Sequence, residues 1–394
     1  MRIAYVVRSL LERFGGPPKS SQALARILRS WGHDIEFWSM VEKRDIKEYH
    51  ELSDPGQYFQ VKYGREGWMY GSLFGELLEL RGGRYELFHM HEFWSYPQFC
   101  SMRFARRSGI PYIVSPRGSL SWWAIHRQGM PKRVKKELFL YLFGKDALDS
   151  AACVHAVSEA EKKDIREIGY DGPVAVIPNG VYCTEFDRPE VDCLAETVWP
   201  IMRNRRVVLF LSRLSVEKGL DLLLPAWKQV VKRSGYSDAL LVLAGPDHKG
   251  YGVVVKDMVS TLGIEKQVLI TGMLDNDTKV AALRRADLYV LPSYSEAFSN
   301  SVLEALASGT PVIISDACNF QRAADVGAAR IIKPSIVELV DALVDILDMS
   351  NEAKKSMGRC GKELVLSEYS WEHVTKKMVE LYKRVISGSD VSSL

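Results

Sequence analysis

Two carboxylates lie close to a short predicted helix in the second half of the chain, and their spacing suits a ligand with sugar and phosphate groups. Small polar residues and glycine bracket an apolar run in residues 295–311, SEAFSNSVLEALASGTP, which predicts a helix over residues 302–308. Glu296 then precedes the helix and Glu304 lies in its first turns, so both could accept hydrogen bonds from hydroxyl groups of one ligand. The N–H groups that would meet phosphate oxygens belong to Phe298, Ser299, Asn300 and Ser301.

The position of Glu304 has a second explanation within the helix. Ser301 and Glu304 are three residues apart, as in a capping box, where each side chain accepts a hydrogen bond from the backbone of the other residue. Local capping would by itself explain this glutamate, so the sequence leaves both interpretations open.

Two cations follow an earlier predicted strand, over residues 207–212. Arg213 comes at the carboxyl end of that strand, and Lys218 follows five residues later, before a predicted helix. Arginine binds a diphosphate with two parallel hydrogen bonds and lysine acts as a point charge, so the pair suits a diphosphate. An ordinary charged loop is the other interpretation.

A glycine pair in the first loop suits a phosphate less specifically. Gly15 and Gly16 follow the first predicted strand, and the next helix is predicted to begin near Ser20 or Ser21. Glycine allows close backbone approach, and a helix N-terminus offers N–H donors. The loop is not Gly-x-Gly-x-x-Gly, so a plain strand-to-helix turn explains it equally well.

These residues fall at the ends of short apolar strands that alternate with amphipathic helices, a pattern typical of parallel sheets with crossover helices. The first series includes strands over residues 3–7, 35–38, 87–91 and 112–115. The second series has strands over residues 207–212, 240–244, 268–271, 288–291 and 311–315. A polar stretch over residues 187–206 is predicted to link them. Ligands of such sheets bind beyond the carboxyl ends of the strands, so two domains with a cleft between them are expected.

The composition agrees with a two-domain globular protein. The chain has 394 residues, is 47% hydrophobic, and carries a formal net charge of +3. Its six cysteines show neither a zinc pattern nor a disulfide framework. The first apolar run ends at Arg8, too early for a signal sequence or a membrane span, so a soluble cytoplasmic protein is expected. No pattern favours nucleic acid as a partner.

Taken in order along the chain, these motifs resemble glycosyltransferase family 4. In the second half the resemblance rests on Arg213-x4-Lys218, Gly245 in Leu-Ala-Gly-Pro-Asp, Thr271-Gly272-Met273, and Glu296-x7-Glu304 before Gly309-Thr-Pro-Val. In the first half it rests on Gly15-Gly16, Trp31-Gly-His-Asp34, Phe88-His-Met-His91 and Ile177-Pro-Asn-Gly180. Because the match keeps its order over most of the chain, it is more specific than any single motif.

The resemblance implies the α/β GT-B architecture, in which two doubly wound Rossmann-like domains face each other across a cleft. It implies an acceptor-side domain over residues 1–186, with a terminal helix over residues 372–394 packing back on it. A nucleotide-sugar donor domain would occupy residues 187–371. No metal or other cofactor is implied.

The resemblance also implies roles for the site residues. Glu304 would bind the ribose, Glu296 the donor sugar, and Arg213 with Lys218 the diphosphate, whose other side would meet Gly15 and Gly16. Apart from the resemblance, His89 and His91 alternate at a strand exit and so share one face; His91 could line the acceptor side of the cleft, and a hydrogen-bonded core histidine explains it equally well. The remaining donor contacts would come from Gly245, Thr271, Gly272 and Met273. The reaction implied is transfer of a sugar from a nucleotide-sugar with retention of anomeric configuration, in which the cations stabilise the departing diphosphate.

Two positions depart from the family pattern. Members often have a His-Gly pair after the strand over residues 112–115, where this chain has Arg117-Gly118. Arginine is always charged and cannot act as a general base, so we expect Arg117 to face the donor sugar or diphosphate. After the final strand, residues 317–321, ACNFQ, replace a glycine-rich turn that an acidic residue commonly follows. These departures motivate a second hypothesis, a degenerate GT-B protein that binds nucleotide-sugars without transfer.

Two weaker features have competing interpretations. Asp275-Asn276-Asp277 resembles the Asp-x-Asp metal site of the other large glycosyltransferase fold, but it precedes a helical stretch, so capping is favoured. Residues 121–143 combine aromatic with basic side chains, including Arg127, as an interfacial membrane helix would. A core-packed helix with a basic outer face is the favoured interpretation.

The function expected from all of this is a retaining glycosyltransferase of cell-surface polysaccharide synthesis. Its acceptor would be a glycan or a lipid-linked sugar. It would work in the cytoplasm, with room for peripheral contact at the inner face of the membrane through its first domain.

Overall fold

The computed structural model describes residues 1–11, 14–52, 56–60, 62, 68–126 and 129–391. Arg127 and the last three residues of the predicted terminal helix lie outside these ranges. The chain forms two compact units, Met1–Asn179 together with Trp371–Leu394, and Gly180–Ser370. Among the described helices, none is long and apolar enough to cross a bilayer.

The first unit contains a parallel sheet, with seven strands in its described residues. They are β1 (Arg2–Val6), β2 (Asp34–Val41), β3 (Gln57–Gln60), β4 (Leu87–His91), β5 (Tyr112–Ser115), β6 (Cys153–Ala156) and β7 (Val174–Val176). Their order is β3-β2-β1-β4-β5-β6-β7, so the strand order reverses between β1 and β4. The helices are α1 (Gly16–Ser30), α2 (Ile46–His50), α3 (Ser72–Arg81), α4 (Tyr96–Ser108), α5 (Trp122–His126), α6 (Met130–Phe139), α7 (Lys145–Asp149), α8 (Glu159–Glu167) and the last helix, α17 (Trp371–Ser387).

The second unit contains another parallel sheet, with six strands in the part of the chain that the structure describes. They are β8 (Arg206–Leu211), β9 (Ala239–Ala244), β10 (Val268–Gly272), β11 (Leu288–Leu291), β12 (Val312–Ser315) and β13 (Ala329–Ile332), in the order β10-β9-β8-β11-β12-β13. The helices are α9 (Leu194–Val198), α10 (Leu220–Val231), α11 (Tyr251–Leu262), α12 (Asn276–Arg285), α13 (Asn300–Ser308), α14 (Gln321–Asp325), α15 (Ile336–Leu347) and α16 (Asn351–Leu364). The prediction of two doubly wound parallel sheets is confirmed.

The start of α1 differs from the prediction. The helix begins at Gly16 rather than near Ser20, and Pro17 and Pro18 lie in its first turn. Proline suits this turn because its missing N–H has no partner within the helix and its φ is already helical. The Ser21 hydroxyl lies inside the helix and donates to the Pro18 carbonyl at 3.0 Å. Two prolines also reduce the number of N–H groups that this helix start can offer to a phosphate.

The last helix packs within the first unit. Tyr382 of α17 is fully buried, and its hydroxyl lies 2.5 Å from that of Tyr5 on β1 and 2.7 Å from Nδ1 of His89 on β4. A chain segment that follows the second unit in sequence therefore completes the core of the first.

The prediction that residues 187–206 form a linker is wrong. Its described residues form short helices, and Val191, Ala195 and Met202 are buried in the core of the second unit. Two arginines of α12 form ion pairs with this segment. Arg284 Nε lies 2.5 Å from Asp192, and Arg285 Nε lies 2.6 Å from Glu196. Polar composition suggested exposure, whereas these ion pairs bind the segment to the domain.

Candidate functional site

A buried ion pair lies where the strand order of the second unit reverses, between β8 and β11. Lys218 ends a short helical turn after β8, and Glu296 lies in the loop after β11. Nζ of Lys218 lies 2.5 Å from Oε1 of Glu296, and about 10% of each side chain is exposed. The Ser293 hydroxyl donates to the same oxygen at 2.9 Å. The structure therefore brings together two of the predicted site residues at the point where such sheets bind ligands.

Two glycines let the backbone segments around this pair approach each other. Gly219 has a φ of +71°, and a Cβ there would lie 2.0 Å from the Pro292 carbonyl oxygen. Gly245 has a φ of +139°, and a Cβ there would lie 1.9 Å from the Ser212 carbonyl oxygen. Both contacts exclude any side chain. Gly245 was predicted as a donor-binding residue, and in the structure it permits the close approach of the loops after β8 and β9.

The loop after β12 holds the backbone of Glu296 by two hydrogen bonds. The Glu296 backbone N–H donates to the Ala317 carbonyl at 3.1 Å, and the side chain of Asn319 donates to the Glu296 carbonyl at 2.6 Å. Asn319 has a φ of +56°, a conformation that asparagine tolerates better than most residues. The segment that departs from the family pattern thus positions a predicted ligand-binding carboxylate. Sequence reasoning missed Ser293 and Asn319, although an asparagine in a turn signals a left-handed position.

A second buried ion pair fixes Glu304. Nζ of Lys279 on α12 lies 2.8 Å from Oε1 of Glu304 on α13, and 11% of each side chain is exposed. The capping-box interpretation is wrong, because α13 begins at Asn300 after Ser299 at the N-cap, which places Ser301 inside the helix. The Ser301 hydroxyl instead lies 2.7 Å from that of Tyr289. Nothing in the sequence paired Glu304 with a lysine 25 residues before it.

The remaining predicted donor contacts surround these pairs on other loops of the second unit. Arg213 is 43% exposed, and its Nη2 lies 3.5 Å from Oε1 of Glu217. Gly272 ends β10 with a φ of +77°, and the Thr271 hydroxyl donates to the Gly272 carbonyl at 3.1 Å. Met273 is 62% exposed. Arg213 is therefore much more exposed than Lys218.

The start of α13 is anchored by an aromatic side chain. The Phe298 ring packs on Phe320 at 5.6 Å and on Tyr369 at 6.2 Å between centroids, so its side chain is occupied by packing. The backbone N–H groups of Phe298, Ser299, Asn300 and Ser301 therefore stay the predicted phosphate contacts of this segment, rather than the Phe298 ring. The helix begins two residues earlier than predicted, which brings Asn300 and Ser301 into its first turn.

The Asp275–Asp277 segment caps a helix. The Asp275 carboxylate accepts a hydrogen bond from the Thr278 backbone at 2.8 Å and stands at the N-cap of α12, while Asp277 pairs with Arg188 at 2.8 Å. Hydrogen bonds from Thr278 lower the pKa of Asp275. Within the described ranges, no group of three or more His, Cys, Asp or Glu residues is placed to hold a metal ion.

In the first unit, Arg117 follows β5 by two residues and contacts His91, the last residue of β4. Nη1 of Arg117 donates to Oδ1 of Asn179 at 2.6 Å, and Nη2 lies 3.5 Å from Nδ1 of His91. The φ of Arg117 is +56°. Because a guanidinium only donates, Nδ1 of His91 accepts and the ring proton is on Nε2. This Nε2 is buried and has no hydrogen-bond partner among the described residues, so it is a donor that a ligand oxygen could satisfy.

Below His91, a chain of hydrogen bonds crosses the first unit. His155 donates from Nε2 to the Ile177 carbonyl at 2.7 Å, so its Nδ1 accepts from the Ser115 hydroxyl at 2.7 Å. Ser115 in turn accepts from Nε2 of His89 at 2.6 Å. The Tyr382 hydroxyl then donates to Nδ1 of His89. Burial lowers the pKa of both histidines and keeps their rings neutral, and with neutral rings one carbonyl sets the direction of every proton in the chain.

Acid should weaken this unit through its buried histidines. Burial, and then the charge of Arg117, lower the pKa of His155 from its usual 6.5 to about 3. Between pH 6.5 and about 3, His155 is protonated in the unfolded chain but neutral in the folded one. The unfolding free energy therefore decreases as the pH falls through this range, by about 1.4 kcal/mol per pH unit. We expect His155→Gln, whose amide preserves one acceptor and one donor, to reduce the slope of unfolding free energy against pH by about that amount. Urea unfolding at several pH values measures it, and parallel slopes for the two proteins would contradict it.

Comparison with known proteins identifies the class. A "Glycosyl transferase 4-like domain" model matches residues 15–180, and a "Glycosyl transferases group 1" model matches residues 196–364. The chain is similar to an uncharacterized glycosyltransferase of Methanocaldococcus jannaschii, with 25% identity over 97% of this chain and 98% of that protein. It is also similar to a phosphatidyl-myo-inositol mannosyltransferase of Mycolicibacterium smegmatis, with 30% identity over 60% of this chain and 58% of that protein.

Solved structures give the fold. Anabaena HepE, in a complex with UDP and glucose, aligns with a TM-score of 0.79 and 16% identity, over 97% of this chain and 99% of that one. Two doubly wound sheets and this likeness define a protein of the GT-B fold. With both family models matched in order, the chain belongs to the family 4-like glycosyltransferases.

Proposed function

We propose that the protein is a retaining glycosyltransferase, which moves a sugar from a nucleotide-sugar to a glycan or lipid-linked acceptor in cell-surface polysaccharide synthesis. The observation that carries the proposal is the buried Lys218–Glu296 pair at the strand-order reversal of the second unit. A carboxylate held in place by a lysine and a serine is preorganised to accept hydrogen bonds from sugar hydroxyls. One structural neighbour, Anabaena HepE, was solved with UDP and with UDP-glucose, which supports a nucleotide-sugar donor.

The proposed donor contacts follow the roles that the family resemblance implies. Glu296 takes the sugar and Glu304 the ribose, and each carboxylate is held in place by a buried lysine. Arg213, the exposed cation, takes the diphosphate together with Lys218. The first unit supplies Arg117 and His91, and Gly15 and Gly16 offer backbone to a phosphate. The names of relatives that act on phosphatidyl-myo-inositol support a lipid-linked acceptor.

Catalysis is proposed to proceed without a metal, with Arg213 and Lys218 supplying the positive charge that stabilises the leaving diphosphate. We expect Arg213→Ala to lower turnover about a hundredfold or more, the scale seen when one preorganised charge donor is removed. Stability should stay near that of the parent, because the side chain is 43% exposed. Steady-state kinetics with the sugar donor and urea unfolding measure the two effects, and Lys249→Ala on a neighbouring loop is the matched control. Unchanged turnover in Arg213→Ala would remove this residue from the site.

The whole proposal is tested by a panel of UDP-, GDP- and ADP-sugars. A donor that binds the native state raises Tm, and we expect one nucleotide class to do so and then to be hydrolysed slowly without acceptor, with EDTA present. Turnover that EDTA abolishes and Mg²⁺ restores would contradict the metal-free mechanism. Stabilisation without hydrolysis or transfer would favour the alternative, a degenerate binding protein, which Arg117 in place of a histidine motivates.

We further propose that the protein works in the cytoplasm, where its nucleotide-sugar donor is made. A lipid-linked acceptor would require contact with a membrane surface.

A further inference from the structure

Three buried hydrogen-bond donors have no partner among the described residues, and they lie at neighbouring strand ends of the first unit. They are Nε of Arg8, which follows β1 by two residues, Nε2 of His91 and Nε of Arg117. The strands β1, β4 and β5 are adjacent, and the strand order reverses between β1 and β4. Buried donors are almost always paired, so three of them at such a point indicate where a ligand can supply acceptors. We call these three residues the donor cluster.

Glu92 connects the members of the donor cluster. It follows His91 directly, and its Oε2 lies 3.6 Å from Nε of Arg8, too far for a hydrogen bond. Nη2 of Arg117 lies 3.5 Å from Nδ1 of His91. Burial raises the pKa of the Glu92 carboxyl, and the charges of Arg8 and then Arg117 oppose that shift. Both guanidinium groups therefore act on one carboxyl group.

The charge of Arg117 has no direct counter-ion. Its guanidinium contacts the amide oxygen of Asn179 and the ring of His91, and no carboxylate in the described part of the chain forms an ion pair with it. Burial lowers the pKa of Arg117, and the charges of nearby Glu161 and Glu92 partly oppose this. A guanidinium nevertheless stays charged in a protein, and a buried charge is costly unless it is paired. An oxyanion of a ligand would supply the counter-charge and accept from Nε.

The backbone at two of these strand ends is strained. Glu92 has a φ of +69° and Arg117 a φ of +56°, in the left-handed region that residues other than glycine rarely adopt. The Glu92 N–H donates to the Ser115 carbonyl at 2.8 Å, and the Gly118 N–H donates to the Glu161 carboxylate, so both turns are fixed. Strain of this kind persists only where the surroundings hold it, and it is concentrated at ligand sites.

We propose that the donor cluster binds the carboxylate of a sugar, so that one substrate of the transfer carries a uronic acid. A carboxylate has about four lone-pair positions on its two oxygens, enough for the three donors. With Glu92 and Glu161 close to Arg117, a singly charged group fits better than a phosphate monoester, which carries about −1.5 to −2 charges at pH 7. This inference rests on the proposed function, because it names a substrate class for that reaction.

Matched sugars that differ only in a carboxylate or a hydroxymethyl group test the proposal. In the donor arm, UDP-glucuronate is compared with UDP-glucose, and GDP-mannuronate with GDP-mannose, by titration calorimetry on the full chain. In the acceptor arm, methyl glucuronide is compared with methyl glucoside in the presence of UDP or GDP. We expect the uronate in one arm to bind at least about tenfold more tightly than its neutral partner, the scale of one charged hydrogen bond.

Substitutions within the cluster should shift this preference in opposite directions. Arg8→Gln should remove most of it and Arg8→Lys should keep part of it, and both should fold, because 24% of the Arg8 side chain is exposed. Glu92→Gln removes a negative charge beside the cluster, so the uronate should bind more tightly than to the parent. A structural role alone would not produce opposite shifts. Arg81→Gln, at an exposed position on α3 of the same unit, is the matched control for the loss of one positive charge.

Equal binding of uronate and neutral sugar in both arms would overturn the proposal. Tighter binding of glucose 6-phosphate than of methyl glucuronide would overturn it too, in favour of a phosphate site. UDP or GDP alone separates these outcomes from the proposed function, because the proposed nucleotide contacts belong to the second unit. If a nucleotide raises Tm but no uronate preference is found, only the carboxylate site is lost. If no nucleotide raises Tm and methyl glucuronide still binds more tightly than the glucoside, the carboxylate site stands and the proposed donor is lost.

Discussion

Replacing Lys218 with methionine is expected to cost the protein both its transfer activity and a large part of its stability. The side chain is about 10% exposed and is the cationic partner of Glu296. Without it, the Ser293 hydroxyl remains beside a buried carboxylate. Removal of one partner from a buried ion pair costs about 3–5 kcal/mol, because the other charge stays buried and uncompensated. Loss of a cation beside the leaving diphosphate should lower turnover by about two to three orders of magnitude.

A second change separates these two effects. Lys218→Met combined with Glu296→Gln removes both charges, so unfolding free energy in urea should return toward that of the parent. Transfer should stay as low as in the single variant, because neither the cation nor the carboxylate is restored. Arg213→Ala provides the contrast, since it should lose turnover without losing stability. Recovery of transfer in the double variant would mean that the pair is structural and takes no part in donor binding.

Replacing Glu304 should have the second largest effect, and here the structure changes the expectation from sequence. The sequence predicts that Glu304→Ala weakens donor binding with little loss of stability. In the structure Lys279 Nζ lies 2.8 Å from Glu304 and 11% of its side chain is exposed, so the alanine variant leaves a buried ammonium group. We expect a loss of about 3–5 kcal/mol in unfolding free energy, together with lost donor affinity.

Glu304→Gln is the variant that isolates ligand binding. Its amide oxygen can still accept from Lys279, so the buried ammonium keeps a hydrogen bond although it loses its counter-charge, and the loss of unfolding free energy should be smaller than in Glu304→Ala. Each charged hydrogen bond to a ribose hydroxyl contributes about 1.5–3 kcal/mol, so donor affinity should fall at least about tenfold. Titration calorimetry with the nucleotide that stabilises the parent measures this, and Lys279→Met serves as the structural control. Normal affinity in Glu304→Gln would exclude the carboxylate from the ribose contact.

The sequence by itself predicted the layout of the protein well. Strands of β-branched residues alternating with amphipathic helices are a local pattern, so the two parallel sheets and the position of most strands follow from it. Cations at the end of β8 and carboxylates around α13 were predicted as a site for the same reason, since strand ends and helix starts can be located from short segments. Element starts were less well predicted, as the early beginning of α1 at Gly16 shows.

Tertiary structure alone decided which of these residues meet. Lys279 and Glu304 are 25 residues apart, and Lys218 and Glu296 are 78 apart. Helical or strand periodicity carries no information over such separations, because the contact depends on how two loops or helices pack. The same limit explains the wrong prediction for residues 187–206. Their polar side chains indicated a linker, but in the structure ion pairs with α12 attach the segment to the second unit.

The outward face of α6 shows the limit most directly. Aromatic and basic residues at helical spacing determine that an amphipathic helix forms, but two orientations of that helix bury different sides. The sequence favoured a core-packed helix with a basic outer face; Phe139 does pack against three aromatic rings, but Met130, Val134 and Leu138 face the solvent. Hydrophobicity is non-directional, so which apolar face a helix buries is decided by the shape of the neighbours it meets.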